Sequence, residues 1–517
     1  MPRWEKGAYF GLVAISIMVG VAELYLFRTY MVDDAFISLR YVRNALAGHG
    51  LVYNIGDKVE GFTSPLDILL NFILGRMGID LVLASKILGV TAYGLILSLV
   101  FPWSSLYKRQ FSIDAPEACI VFTVIATSFS LTFFSITGME TVLFSLLTLL
   151  VFFEATKLKI TPKLVTLTYL AFLCRPEGIL FLFSIGTGII LVRYANRDLP
   201  HISSPKFLVF EGREFLYFGF FLLAVLIFVG LRWEYYGEIL PNTFFVKAPW
   251  AMESPGVYWT FKGIGSISYF FSAAGGVLGI LIFLSAFFQK TSSYRVLMMC
   301  VMIVLAIMIF QKYAGSDWMV GARYFIPALP VWALGVGISI NSLKILQNIK
   351  IPYYRVAVVC LVTIGFWTMN ASETCEFLKN TNKYPNSVQT SIGLKKIGMW
   401  IHDNLPANYR IRNWRIGAIG YYCENPILDT WGLVDREIGR LRFCSSSEKE
   451  GSRQALAFSN KMEPEAIITK LKPGRASSEH GYCLVHKGKN GNQTLGVWVR
   501  EDLAPHLEVE PIGVCEN

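Results

Sequence analysis

The run AYFGLVAISIMVGVAELYLF (8–27) gives way, after RTYM, to VDDAFISLRYVRNALAGHGLVYNIGDKVEGFTSPL (32–66). The first run is long enough for a helix to cross a bilayer, which takes about 20 residues. The second opens on two adjacent carboxylates, Asp33 and Asp34, at the end of that helix. Ionised groups at this depth are costly unless a partner or a reaction needs them. The pair therefore reads as a catalytic centre at a membrane face.

Composition extends this reading to most of the chain. Of 517 residues, 54% are hydrophobic and 16% charged, with 38 Phe and 12 Trp, and the mean hydropathy is +0.47. An ordinary soluble domain is excluded. The net charge of +10 does not point to nucleic acid, because Lys and Arg sit in short clusters between apolar runs rather than along one soluble face.

Further apolar runs centre on 81–101, 117–133, 139–156, 213–231, 266–288, 294–311, 324–340 and 353–370. Residues 162–194 make two more, cut by RPEG (175–178), because proline removes a backbone donor and charge resists lipid. The expected fold is an α-helical polytopic membrane protein of about eleven spans. Arg3 and Lys6 start the chain inside. Alternate loops then carry Lys108 and Arg109; Lys157, Lys159 and Lys163; Arg193, Arg197, Lys206 and Arg213; Lys290 and Arg295; Lys344, Lys350 and Arg355. All fall on one side, as short cytoplasmic loops should. The first span lacks a small-residue cleavage site and is expected to stay as an anchor.

This topology brings the unusual polar segments to the opposite face. They are DD (33–34), TGMET (137–141), RPEG (175–178), YYGEILPNT (235–243) with Lys247, and GSDWMVGAR (315–323). Within the outer loop 28–80, Phe36, Leu39, Val42 and Leu46 recur at helical spacing, and 65–77 is too short for a crossing. A helix lying on the membrane surface is expected first, and a second surface or re-entrant helix over 65–77.

From about residue 371 polar clusters such as NTNKYPN (380–386) and SSSEKE (445–450) take over. The expected organisation is a transmembrane catalytic domain (1–370) and a soluble extracytoplasmic α/β domain (371–517). A helix is expected over 392–405, then strands near 415–422 and 426–430. Cys375, Cys423, Cys444, Cys483 and Cys515 fall in this domain; an oxidising compartment permits disulfides, whose pairing spacing does not reveal.

The ordered motifs DDAFIS (33–38), GHGLV (48–52), VEGFTSP (59–65), GMET (138–141), RPEG (175–178), YGEILPN (236–242), DWM (317–319) and DTWGLVD (429–435) resemble GT-C type integral membrane glycosyltransferases. Among these they are most similar to terminal cell-wall arabinofuranosyltransferases. The resemblance implies an enzyme that moves a sugar from a polyprenyl-phosphate donor to a glycan, lipid or protein hydroxyl, at the extracytoplasmic face of the cell membrane. It implies an inverting displacement, the N-terminus cytoplasmic and the C-terminal domain outside. No P-loop or Gly-rich strand-to-helix turn supports a nucleotide-sugar site.

Such chemistry needs a base, a sugar pocket and cations for the departing phosphate. Asp33 is the expected base, with Asp34 orienting sugar or acceptor. Arg175, Lys247 and Arg323 are expected at the donor phosphate. Glu60, Glu140, Tyr236, Asn242, Asp317 and Asp435 are candidate sugar or acceptor contacts, with Asn242 also suited to capping a helix. Pairing among these charges, and anchoring of loops, are the structural alternatives. The acids are also hard oxygen donors for a divalent cation, Mg²⁺ or Mn²⁺, though no spacing demands one. Two other classes stay open: a transporter or flippase of lipid-linked glycan, and a non-catalytic glycan-binding assembly protein.

Overall fold

The computed structural model describes residues 2–104, 110–111, 113–195, 212–246, 270, 276–289, 293–314, 319, 321–379, 389–445, 447–471, 479, 481–490, 493–509 and 512. Lys247, Asp317 and Cys515 lie outside the described residues.

Helix α1 (Arg3–Phe27) leads into two helices of the connecting loop, α2 (Asp33–Leu46) and α3 (Pro65–Arg76), as the apolar periodicity predicts. There follow α4 (Leu81–Leu99), α5 (Ala115–Ala126), α6 (Phe129–Ile136), α7 (Thr141–Ala155), α8 (Pro162–Cys174), α9 (Ile179–Ala195), α10 (Gly212–Tyr236), α11 (Gly276–Phe288), α12 (Tyr294–Ala314), α13 (Leu329–Ser342) and α14 (Pro352–Lys379). Seven helical segments among the described residues are long and apolar enough to cross a membrane, eight if α5 and α6, bent by 47°, form one span. Helices α7, α8 and α11 are apolar but shorter, so the expected eleven needs all three to cross as well. The chain is a multi-pass membrane protein.

Pro176 and the charges beside it interrupt the long run at 162–194. Arg175 is extended (φ −153°, ψ 140°), and one turn of 3₁₀ helix, Pro176–Gly178, joins α8 to α9. Helix α13 is buried on almost every side. A Cβ on its Gly335 would lie 2.8 Å from Cys300 Sγ and 2.9 Å from the Phe283 ring, the close approach that small residues permit between membrane helices.

Helix α14 runs on to Lys379, through the change of composition near 371. The C-terminal domain then comprises α15 (Gln389–Asn404), β1 (Ile411–Asn413), α16 (Ala418–Cys423), β2 (Ile427–Asp429), α17 (Arg436–Phe443), α18 (Glu448–Lys461), β3 (Ala466–Leu471), β4 (Tyr482–Asn490) and β5 (Gln493–Arg500). They form one sheet, ordered β2-β1-β3-β5-β4. Strand β1 is parallel to β2 and β3, with Ile411 opposite Ile427 and Ala466, whereas β5 is antiparallel to both β3 and β4. The strand expected near 415–422 is the short helix α16 instead. A brief apolar run does not distinguish strand from buried helix, and here Ala418, Ile419 and Cys423 are buried. Cys483 is disulfide-bonded, while Cys375, Cys423 and Cys444 are free thiols.

Candidate active site

The break at Arg175, the start of α2, the loop after α10 and the 3₁₀ turn Arg323–Ala328 enclose a cavity of about 490 Å³. Its polar wall carries Asp34, Glu140, Glu177, Arg175, Arg232 and Arg323; its apolar wall is built by Phe172 of α8, Val225, Phe228 and Val229 of α10, and Leu240, Phe244 and Phe310. Charged and apolar side chains thus line one cavity.

The charges are paired within the protein. Arg175 is buried, its Nε donating to Glu177 Oε1 at 2.5 Å and its Nη1 to Glu140 Oε1 at 2.7 Å. Its guanidinium lies 5.3 Å from the centre of the Tyr324 ring, and that of buried Arg323 lies 5.2 Å from the same ring. Arg323 follows Gly321 (φ 76°) and left-handed Ala322 (φ 47°, ψ 51°), a kink that starts the 3₁₀ turn. Arg232, absent from the sequence-based candidates, contacts Glu60 with Nε 2.6 Å from Oε2 and donates from Nη2 to Oε1 at 3.2 Å. Burial raises the Glu60 carboxyl above its ordinary value, against the downward pull of Arg232. On α3, Asp67 is buried beside Glu140, and burial pushes its carboxyl up to about 8.

The acidic pair divides. Asp34 lines the cavity, whereas Asp33 turns to the C-terminal domain and accepts a hydrogen bond from the Ala418 amide at 2.7 Å. Burial raises Asp33 to about 6; the Ala418 amide and Arg415 pull it down and the neighbouring Asp34 pushes it up. Successive residues of a helix lie about 100° apart, so two carboxylates at its first turn face different surroundings.

Several expected sugar contacts are engaged in hydrogen bonds within the protein, and Asn242 joins its two parts. Asn242 donates from Nδ2 to the carbonyls of Gly432 (2.6 Å), Leu433 (3.2 Å) and Asp435 (3.0 Å), and its amide donates to Glu60 O at 2.9 Å. The Asp435 side chain caps α17 by accepting from Ile438 N at 2.9 Å. The Tyr236 hydroxyl donates to Leu51 O at 2.9 Å. Arg40, two turns along α2 and only 2% exposed, donates to Tyr53 O (2.8 Å), Asn425 O (2.8 Å) and Gly420 O, and stacks on the Tyr53 ring. Asn54 exchanges two hydrogen bonds with Ile427, each of 2.9 Å.

Among the described residues no group of three or more His, Cys, Asp or Glu side chains is arranged to hold a metal ion. Arg175, Arg232 and Arg323 bring positive charge to the cavity wall.

A family model described as Domain of unknown function (DUF8728) matches residues 381–504. A "Terminal beta-(1->2)-arabinofuranosyltransferase" of Mycobacterium tuberculosis (strain ATCC 25618 / H37Rv) is 36% identical over 70 residues, which span 14% of this chain and 11% of that protein. Crystal structures of ArnT from Cupriavidus metallidurans, bound to undecaprenyl phosphate and in the apo state, superpose with TM-scores of 0.55 and 0.54 at 12% identity. Each alignment covers 95% of this chain and 98% of ArnT. The fold is thus the GT-C type that the ordered motifs imply.

Proposed function

We propose that this protein is a membrane glycosyltransferase that moves a sugar from a polyprenyl phosphate to an acceptor hydroxyl at the extracytoplasmic face. The observation that carries this reading is the cavity itself. Three arginines and Asp34 line it together with apolar side chains of α8 and α10. A lipid phosphate needs both a cationic seat and a hydrocarbon wall. The fold shared with ArnT, one of whose structures holds undecaprenyl phosphate, supports the same donor class. The short likeness to an arabinofuranosyltransferase makes a pentofuranose the first donor to try.

In this reading Asp34, the carboxylate on the cavity wall, takes the acceptor proton, and Asp33 holds its place. The acceptor oxygen bonds to the anomeric carbon as the bond from that carbon to the phosphate oxygen breaks. Negative charge gathers on the leaving phosphate, where Arg175, Arg232 and Arg323 stabilise it. A guanidinium has five N–H donors, so Arg175 retains donors beyond those given to Glu140 and Glu177. Transfer is tested with purified protein in lipid vesicles holding polyprenyl-phosphate sugars, by assaying released polyprenyl phosphate and glycosylated acceptor. Translocation of intact donor without cleavage sinks the reading in favour of a flippase.

A further inference from the structure

The C-terminal domain matches a family of unknown function, yet it contacts two of the segments that border the cavity. The turn after β1 lies against Asp33, where the Ala418 amide donates to its Oδ1 at 2.7 Å. Gly417 has no room for a side chain: a Cβ there would overlap the Asp33 carbonyl and lie 2.6 Å from its carboxyl carbon. Buried Arg415, in the same turn, faces that carboxylate and donates to Gln493 of β5 at 2.6 Å. The turn after β2 grips Asn242, whose neighbours Pro241 and Thr243 line the cavity together with the domain's own Leu433.

We propose that this domain positions the acidic pair: the Gly417–Ala418 turn holds Asp33, and the helical step to the next residue then fixes Asp34 at the cavity wall. Asp33 is a positioning residue and its partner surface belongs to the domain. Fixing one residue of a helical turn fixes the direction of the next. Tight van der Waals contact at Gly417 makes the fit sensitive to a single methyl group. The proposal rests on the reading of Asp34 as the group that reacts.

The test compares Asp33→Ala, Asp33→Asn and Gly417→Ala in the full-length protein, in the vesicle transfer assay, with Asp34→Asn as reference. Asparagine keeps an oxygen that accepts from the Ala418 amide; alanine does not. Asp33→Ala and Gly417→Ala should lower kcat at least tenfold with donor KM within twofold of wild type, and Asp33→Asn should restore most of kcat. An Asp33→Asn protein as inactive as Asp33→Ala overturns the proposal, because the charge of Asp33 would then itself be needed. Unchanged kcat in both Asp33→Ala and Gly417→Ala overturns it as well. If a variant loses activity through unfolding, its melting temperature falls and the remaining variants decide. Asp34→Asn with full activity would refute the assignment of the reacting group, a failure separate from that of the turn.

Discussion

Replacing Arg40 by methionine should loosen the C-terminal domain from α2 without unfolding either part. Arg40 is buried and supplies donors to three carbonyls, Tyr53 O, Asn425 O and Gly420 O, two of them in the domain. Methionine fills the space of the stem but offers no donor. Each carbonyl left without a partner in a buried site costs roughly 1 kcal/mol at the low end of the usual range. Tyr53 O keeps a second donor, Asn44 Nδ2 at 2.9 Å, so two such losses come to about 2 kcal/mol, a change of roughly thirtyfold in an equilibrium constant at about 1.4 kcal/mol per factor of ten. The Asn54–Ile427 exchange and the Asn242 contacts persist and keep the domain attached. Amide hydrogen exchange at 51–54 and 418–427 reads the opening directly. Exchange should speed up there by roughly ten- to thirtyfold, while β4 and β5 keep wild-type protection. Unchanged protection at 418–427 would refute the argument that this guanidinium holds the junction together.

Three other perturbations follow from the same geometry. Glu60→Gln or Arg232→Gln alone strands one member of a buried ion pair and should cost about 3 kcal/mol, whereas the double variant should recover much of this; strictly additive losses in thermal unfolding would contradict the pairing. Asp67 has a carboxyl pushed from 3.8 to about 8 by burial, so its ionisation costs stability that grows as pH rises from about 4 to about 8. Asp67→Asn should therefore raise the melting temperature at pH 8 and change it little near pH 4, and an equal shift at both would refute the assignment. Arg175→Gln and Arg323→Gln should each weaken binding of the lipid-phosphate donor by at least about tenfold; unchanged affinity in both would rule out the phosphate seat.

Much of the fold was legible because apolar length and loop charge are local signals. The RPEG break could be read at sight, since proline and charge interrupt a helix wherever they occur in lipid. Arg232 was missed because it closes an apolar run, where a lone arginine looks like a charge reaching for the interface. Its partner Glu60 lies in another loop, and only the fold brings them within 2.6 Å. Asn242 and Asp435 have the chemistry of sugar ligands, yet their hydrogen bonds go to a carbonyl cluster and a helix cap. Residue type fixes what a side chain can bond and leaves open which partner reaches it first. The division of labour between Asp33 and Asp34 belongs to this class, because it depends on a turn 385 residues along the chain.

The central claim is chemical transfer at the cavity where Asp34 meets the arginines. Its most direct measurement places wild type and Asp34→Asn in vesicles with a panel of polyprenyl-phosphate sugars, pentofuranoses included, and follows the amount of free polyprenyl phosphate formed with acceptor present. Wild type should release it with at least one donor, and Asp34→Asn, folded and binding that donor, should be slower by at least about a hundredfold. Release at equal rates by the two proteins, or no release by wild type from any donor in the panel, would contradict the account.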